Sequence, residues 1–113
     1  MGITMEDLAE KRCLACEGGQ PPLTDDQISR LMPGLGENWE VVEGHHLQKE
    51  WSFPDFSSAL EFVNLAGGIC EDEGHHADFE VGWGRVKAAI WTHKIDGLTE
   101  SDFVLAAKIS EVA

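Results

Sequence analysis

The chain has 113 residues, 42% hydrophobic and 26% charged, which is ordinary globular usage and enough for one compact domain with a modest core. Against 21 acidic residues there are only 8 basic ones, giving a net charge of −13 with no basic run, so the chain lacks the electrostatic footprint that grips phosphate backbones or anionic membrane surfaces. Nucleic acid and membrane are thus excluded as expected partners, and no apolar run approaches the roughly 18 residues that span a bilayer.

The first residues show no basic stretch followed by an apolar one, and Glu6 stands where a myristoylation pattern requires Ser or Thr, so a cytoplasmic protein is expected. Residues 1–22 read as an N-terminal segment, mostly loop, closing on Glu17-Gly18-Gly19-Gln20-Pro21-Pro22. Cys13-Leu14-Ala15-Cys16 within it is a CxxC pair. Cys70 brings the cysteines to three, an odd count that suggests no disulfide framework, and no second CxxC completes a zinc site. Two reduced thiols are the expectation.

A single domain is expected over 23–113. Thr24-Asp25-Asp26-Gln27 fits a capping box and starts a short helix to about Met32, which Pro33-Gly34 stops. Trp39 to Val42 reads as a strand, Glu43-Gly44 as a turn, and His46 to about Phe53 as the return strand. His45-His46 lies beside that turn, outside any chemical pattern, and reads as surface.

From Asp55 to Glu73, Phe56, Ala59, Leu60, Val63, Ala66, Ile69 and Cys70 recur at three- and four-residue spacing and define one face of a central amphipathic helix. Gly67-Gly68 interrupts it at about 1 kcal/mol per glycine relative to alanine, which calls for either close packing or a bend. Phe79 to Trp83 and Arg85 to His93 read as strands around Gly84. Strict alternation puts Val86, Ala88, Ile90 and Thr92 on one face, and Lys87, Ala89, Trp91 and His93 on the other. The last helix begins at Thr99 and turns Phe103, Ala106, Ala107 and Ile109 inward.

The order α-β-β-α-β-β-α predicts a two-layer α+β domain, an antiparallel four-stranded sheet with helices packed on one face. So small a sheet leaves edges uncovered, and self-association through an edge is expected.

The stretch from Glu71 to Asp102 carries the chemistry. It holds His75, His76 and His93, three of the five histidines, with acids at both ends. Imidazoles titrate nearest neutral pH, so several of them beside carboxylates can move protons without a metal or an organic cofactor. The same groups are possible zinc or iron ligands, but there is no HExxH and adjacent histidines converge on one ion only if the loop permits. No metal and no cofactor are therefore expected. Asp102 follows Thr99 by three residues and also suits the acidic position of a helix cap.

These residues resemble the pterin-4a-carbinolamine dehydratase family, especially its bacterial members. Glu71, His75, His76, Trp83, His93 and Asp102 match the family pattern in order and spacing. Trp91-Thr92-His93-Lys94-Ile95, Gly97-Leu98-Thr99-Glu100-Ser101-Asp102-Phe103, Phe53-Pro54-Asp55-Phe56 and the Cys13 to Pro22 segment are similar to it as well. The chain departs from the pattern at Ala77, where Pro is usual, and at Gly67-Gly68.

The resemblance implies dehydration of 4a-hydroxytetrahydrobiopterin, or a related reduced pterin, to the quinonoid dihydropterin, as recycling after an aromatic amino acid hydroxylase. It implies His75 and His76 as acid and base, His93 at the pterin hydroxyl, Glu71 and Asp102 as supports of the imidazoles, and Trp83 and Trp51 as walls for the flat ring. It also implies a homodimer or homotetramer. A second role carried by the same family is protein binding: a dimerisation cofactor for a transcription factor, or a Rubisco assembly factor.

Overall fold

The computed structural model describes residues 2–14 and 20–113. Four antiparallel strands, β1 (Glu40–Val42), β2 (His46–Ser52), β3 (Asp78–Gly82) and β4 (Arg85–Ile90), form one sheet in the order β1-β2-β4-β3. Among the described residues four α-helices accompany them: α1 (Met5–Ala9), α2 (Asp25–Leu31), α3 (Phe56–Glu73) and α4 (Glu100–Val112). The expected α+β class and antiparallel sheet are present.

Alternation sorts the two faces of the sheet. Leu47, Val86 and Ile90 are fully buried, at 0% exposure each, beneath α3 and α4. On the opposite face Glu50 pairs in register with Lys87, which pairs with Glu80, and Arg85 and Lys87 make ion pairs with Glu50 and Glu80. Such exposed pairs keep the face soluble more than they stabilise it.

The expected turn at Glu43-Gly44 has both residues at positive φ, 54° and 65°, and His45 N–H donates to the Val42 carbonyl at 2.9 Å. Positive φ at both central residues is the mark of a mirror-image turn, and three residues, 43–45, lie between the paired Val42 and His46. β4 ends at Ile90, earlier than alternation suggested. Thr92 pairs with Gly97 across a short loop, and His93–Ile95 winds into a 3-10 turn, which removes His93 from the strand.

Helix α3 runs unbroken through Gly67 and Gly68, and a Cβ built at either position meets nothing within 4 Å. Close packing within this chain therefore does not explain the pair. Its core face is Ala59, Phe62, Ala66 and Cys70, whereas Phe56 and Leu60 are more than 40% exposed. The three- and four-residue spacing places those two on the inward face, without Phe62. A 3.6-residue period admits neighbouring stripes, and packing on the sheet selects one.

Helix α1 is an element that the loop reading of 1–22 did not contain. Thr4 and Asp7 form a reciprocal capping box at 3.0 and 3.1 Å, and Leu8 is fully buried against α4 and the 3-10 turn Met32–Leu35. A Cβ at Gly34 would stand 2.5 Å from Leu8 Cδ1, so this glycine lets the N-terminal segment close on the domain.

The chain beyond α1 is stapled to the ends of α3 and α4. Glu73, its side chain 5% exposed, accepts from Cys13 N–H at 2.8 Å and faces Arg12 and Lys108 at 3.3 and 3.9 Å. Leu14 N–H donates to Ser101 Oγ at 2.8 Å. The Cys13 thiol is pushed up to about 12, first by burial and then by the charge of Glu73. That makes it a poor nucleophile or metal ligand at neutral pH. Its CxxC partner Cys16 lies outside the described residues.

Two outcomes test these assignments. Gly68→Ala is expected to raise stability by about 1 kcal/mol, because the helix gains propensity and the methyl meets open space. Urea unfolding measures it. The backbone N–H of Cys13 and the cations of Lys108 and Arg12 hold the Glu73 carboxyl below its usual range. Its contribution is therefore present above the ordinary glutamate value and lost as pH falls through the lowered one. Glu73→Gln is expected to cost about 1 kcal/mol at pH 7, with the gap to wild type closing in unfolding curves taken toward pH 3.

Candidate active site

Helix α3 ends in a way that fixes the direction of the chain after it. Gly74 is left-handed, at φ 65°, its N–H bonds the Glu71 carbonyl at 3.3 Å, and His75 N–H bonds the Cys70 carbonyl at 3.2 Å. This is the pairing of a Schellman stop, which favours glycine at the left-handed position. The histidine side chain thus leaves a fixed point.

His75 Nε2 meets Asp102 Oδ1 at 2.5 Å. The carboxylate is completely buried, and its other oxygen accepts from Thr99 N–H and from Thr92 Oγ1, each at 2.8 Å. Asp102 closes the first turn of α4 as the sequence suggested, and with its free oxygen it also holds the imidazole. A carboxylate accepts, so Nε2 carries the proton, and Nδ1 is the nitrogen left without a partner among the described residues.

Next to His75 lies a cleft of about 300 Å³ between the α3–β3 loop and the β4–α4 connection. That is the lower end of ligand-sized sites. His75, His76, Trp91, Thr92, His93 and Lys94 line it, and Leu14 supplies a wall from the N-terminal segment. The three histidines singled out in the sequence therefore converge. His93, the first residue of the 3-10 turn, lies on the indole of Trp91 with ring centres 4.5 Å apart and planes at 34°. His76 is more than half exposed and stands 3.6 Å from Glu71, itself 81% exposed, so this acid supports it only through solvent-screened charge.

The two tryptophans expected as walls are elsewhere. Trp83 is 70% exposed on the β3–β4 turn and does not line the cleft. Trp51 pairs with buried Val86 on the inner face of the sheet and packs on Phe62 at 4.7 Å and edge-on to Trp39 at 5.7 Å. The aromatic wall is Trp91. Its signal was available, since alternation already set it with His93 and opposite Ile90. Lys94, the cation of the cleft, carried no signal of its own. Among the described residues no group of three or more His, Cys, Asp or Glu side chains is placed to hold a metal ion.

The family model for pterin 4 alpha carbinolamine dehydratase matches residues 21–112. The chain belongs to this family. It is 50% identical over 107 residues to a protein of Alkaliphilus metalliredigens provisionally named a pterin-4-alpha-carbinolamine dehydratase, covering 95% of this chain and 96% of that one. A similarly named protein of Methylococcus capsulatus is 41% identical, covering 94% and 93%. Among solved structures, a transcriptional coactivator/pterin dehydratase from Brucella melitensis superposes with a TM-score of 0.76 at 29% identity, over 81% of this chain and 98% of the other. A pterin dehydratase-like protein identified as a RuBisCO assembly factor in the alpha-carboxysome shares the fold, at a TM-score of 0.60 and 17% identity over 70% and 93%. In this family member no helix among the described residues is long and apolar enough to cross a membrane.

Because a buried carboxylate must be fully paired, Asp102→Asn is expected to destabilise by about 1–3 kcal/mol. The amide has one acceptor oxygen for three donors and presents N–H₂ to the others. Urea unfolding of the variant measures the loss.

Proposed function

We propose that this family member dehydrates a 4a-hydroxytetrahydropterin, such as 4a-hydroxytetrahydrobiopterin, to the quinonoid dihydropterin. The carrying observation is the convergence of His75, His76 and His93 on one cleft beside an aromatic wall, with a buried carboxylate behind His75. The reaction breaks the C4a–O bond, releases the hydroxyl as water with an added proton, and removes the N5 proton as the C4a=N5 bond forms. It is redox-neutral and asks only for an acid and a base near neutrality.

His75 suits the base. Its Nδ1 takes the proton, and Asp102 stabilises the imidazolium through Nε2–H, the same arrangement by which a buried Asp orients a catalytic histidine elsewhere. His76 and His93 supply the proton to the departing hydroxyl. Trp91 gives the flat pterin a face to stack on, and the Lys94 ammonium offers donors to carbonyl oxygen on the ring. Such an enzyme serves tetrahydropterin recycling in the cytoplasm, beside an aromatic amino acid hydroxylase.

The test is turnover of freshly generated 4a-hydroxytetrahydropterin by wild type and by His75→Ala, His76→Ala and His93→Ala, each shown by circular dichroism to be folded. Loss of about 100-fold or more is expected for His75→Ala, the range of a positioned acid or base. Wild-type turnover no faster than the spontaneous reaction sinks the proposal and leaves the protein-binding role of the fold as the reading to pursue.

A further inference from the structure

Two histidines outside the cleft lining, His45 and His46, sit against the same indole as His93. Their ring centres lie 5.4 and 5.8 Å from that of Trp91. By their place beside the turn they read as surface alone. In the fold, the β1–β2 turn directs His45 toward the loop after β4, where its Nε2 meets Asp96 Oδ1 at 2.6 Å.

Asp96 is left-handed, at φ 51° and ψ 49°, and its N–H closes the 3-10 turn on the His93 carbonyl at 3.2 Å. Residues 93–96 thus form a loop tied at its base by the Thr92–Gly97 pair, with bonds of 2.9 and 3.4 Å. Its last residue, Asp96, is tied by His45. The same imidazole touches Trp91, on which His93 lies, so it reaches His93 by two routes: through Asp96 and through the indole.

We propose that His45 is a positioning residue for the site, clamping the 93–96 loop through Asp96 and so holding His93 over Trp91. The proton pattern of the clamp follows from the acceptors. Asp96 accepts, so His45 carries its proton on Nε2. In the neutral ring Nδ1 then accepts, and the 3.0 Å contact with His46 Nδ1 requires His46 to donate from that atom. With His45 neutral, the clamp calls for the Nδ1–H tautomer of His46, a signature visible in ring nitrogen shifts.

The catalytic part of this inference rests on the proposed dehydratase reading, and the positioning part does not. Asp96 is 86% exposed, so the pair is solvent-screened and its effect is modest, about two- to fivefold. The variants are His45→Ala, Asp96→Gly and the double substitution. Gly adopts the left-handed backbone freely, so that change removes the accepting carboxylate without adding strain. The readouts are kcat and KM for 4a-hydroxytetrahydropterin and the ring NMR signals of His93 and Trp91.

Each single variant is expected to move the His93 ring signals and to lower kcat about two- to fivefold. The double variant is expected to be no worse than His45→Ala alone, which already removes both the bond to Asp96 and the contact with Trp91. Unmoved His93 signals in both single variants, or losses that multiply in the double, overturn the clamp. If wild type shows no turnover the dehydratase reading fails, and the His93 signals still decide the clamp.

Discussion

A carboxylate with no access to water, that of Asp102, organises both the stability and the site of this protein. Burying an unpaired charge costs several kcal/mol, so the folded chain must bring donors to both oxygens. They come from the first turn of α4, from Thr92 just after β4, and from His75 just after α3. Three separate segments between residues 75 and 102 are thereby fixed to one point. The histidine that the chemistry calls for is among the groups the carboxylate requires.

Around that point the remaining parts are set by ordinary devices. The left-handed Gly74 ends α3 and releases His75 in a defined direction. The 3-10 turn after Thr92 lays His93 on Trp91. Glu73 anchors residues 12–14 to the same helix end, which brings Leu14 to the cleft wall. The cleft is thus assembled from the ends of elements, where side chains can be aimed without disturbing the core.

The fold alone does not define the activity. A structure of the same fold is identified as an assembly factor, and another is described as both coactivator and pterin dehydratase. What argues for proton chemistry in this chain is the site itself: three imidazoles, an indole and a buried acid in one place.

Much of this was legible in the sequence because it depends on local periodicity and spacing. Alternation along β4 gave its buried face, the spacing of α3 gave a helix, and Thr99 to Asp102 gave a cap. The pattern of His75, His76 and His93 with Asp102 pointed to the family and to the cleft. The capping box at Thr4 is equally local, but a helix of five residues leaves little periodicity to read. Tertiary structure alone decided that Trp51 turns inward, paired with Val86, and away from the cleft, whereas the place of Trp91 with His93 followed from alternation. It alone joined His45 to Asp96, 51 residues away. Local sequence sets what each segment can form, and long-range packing sets which side chains meet, because a contact between distant segments leaves no spacing to read in the sequence.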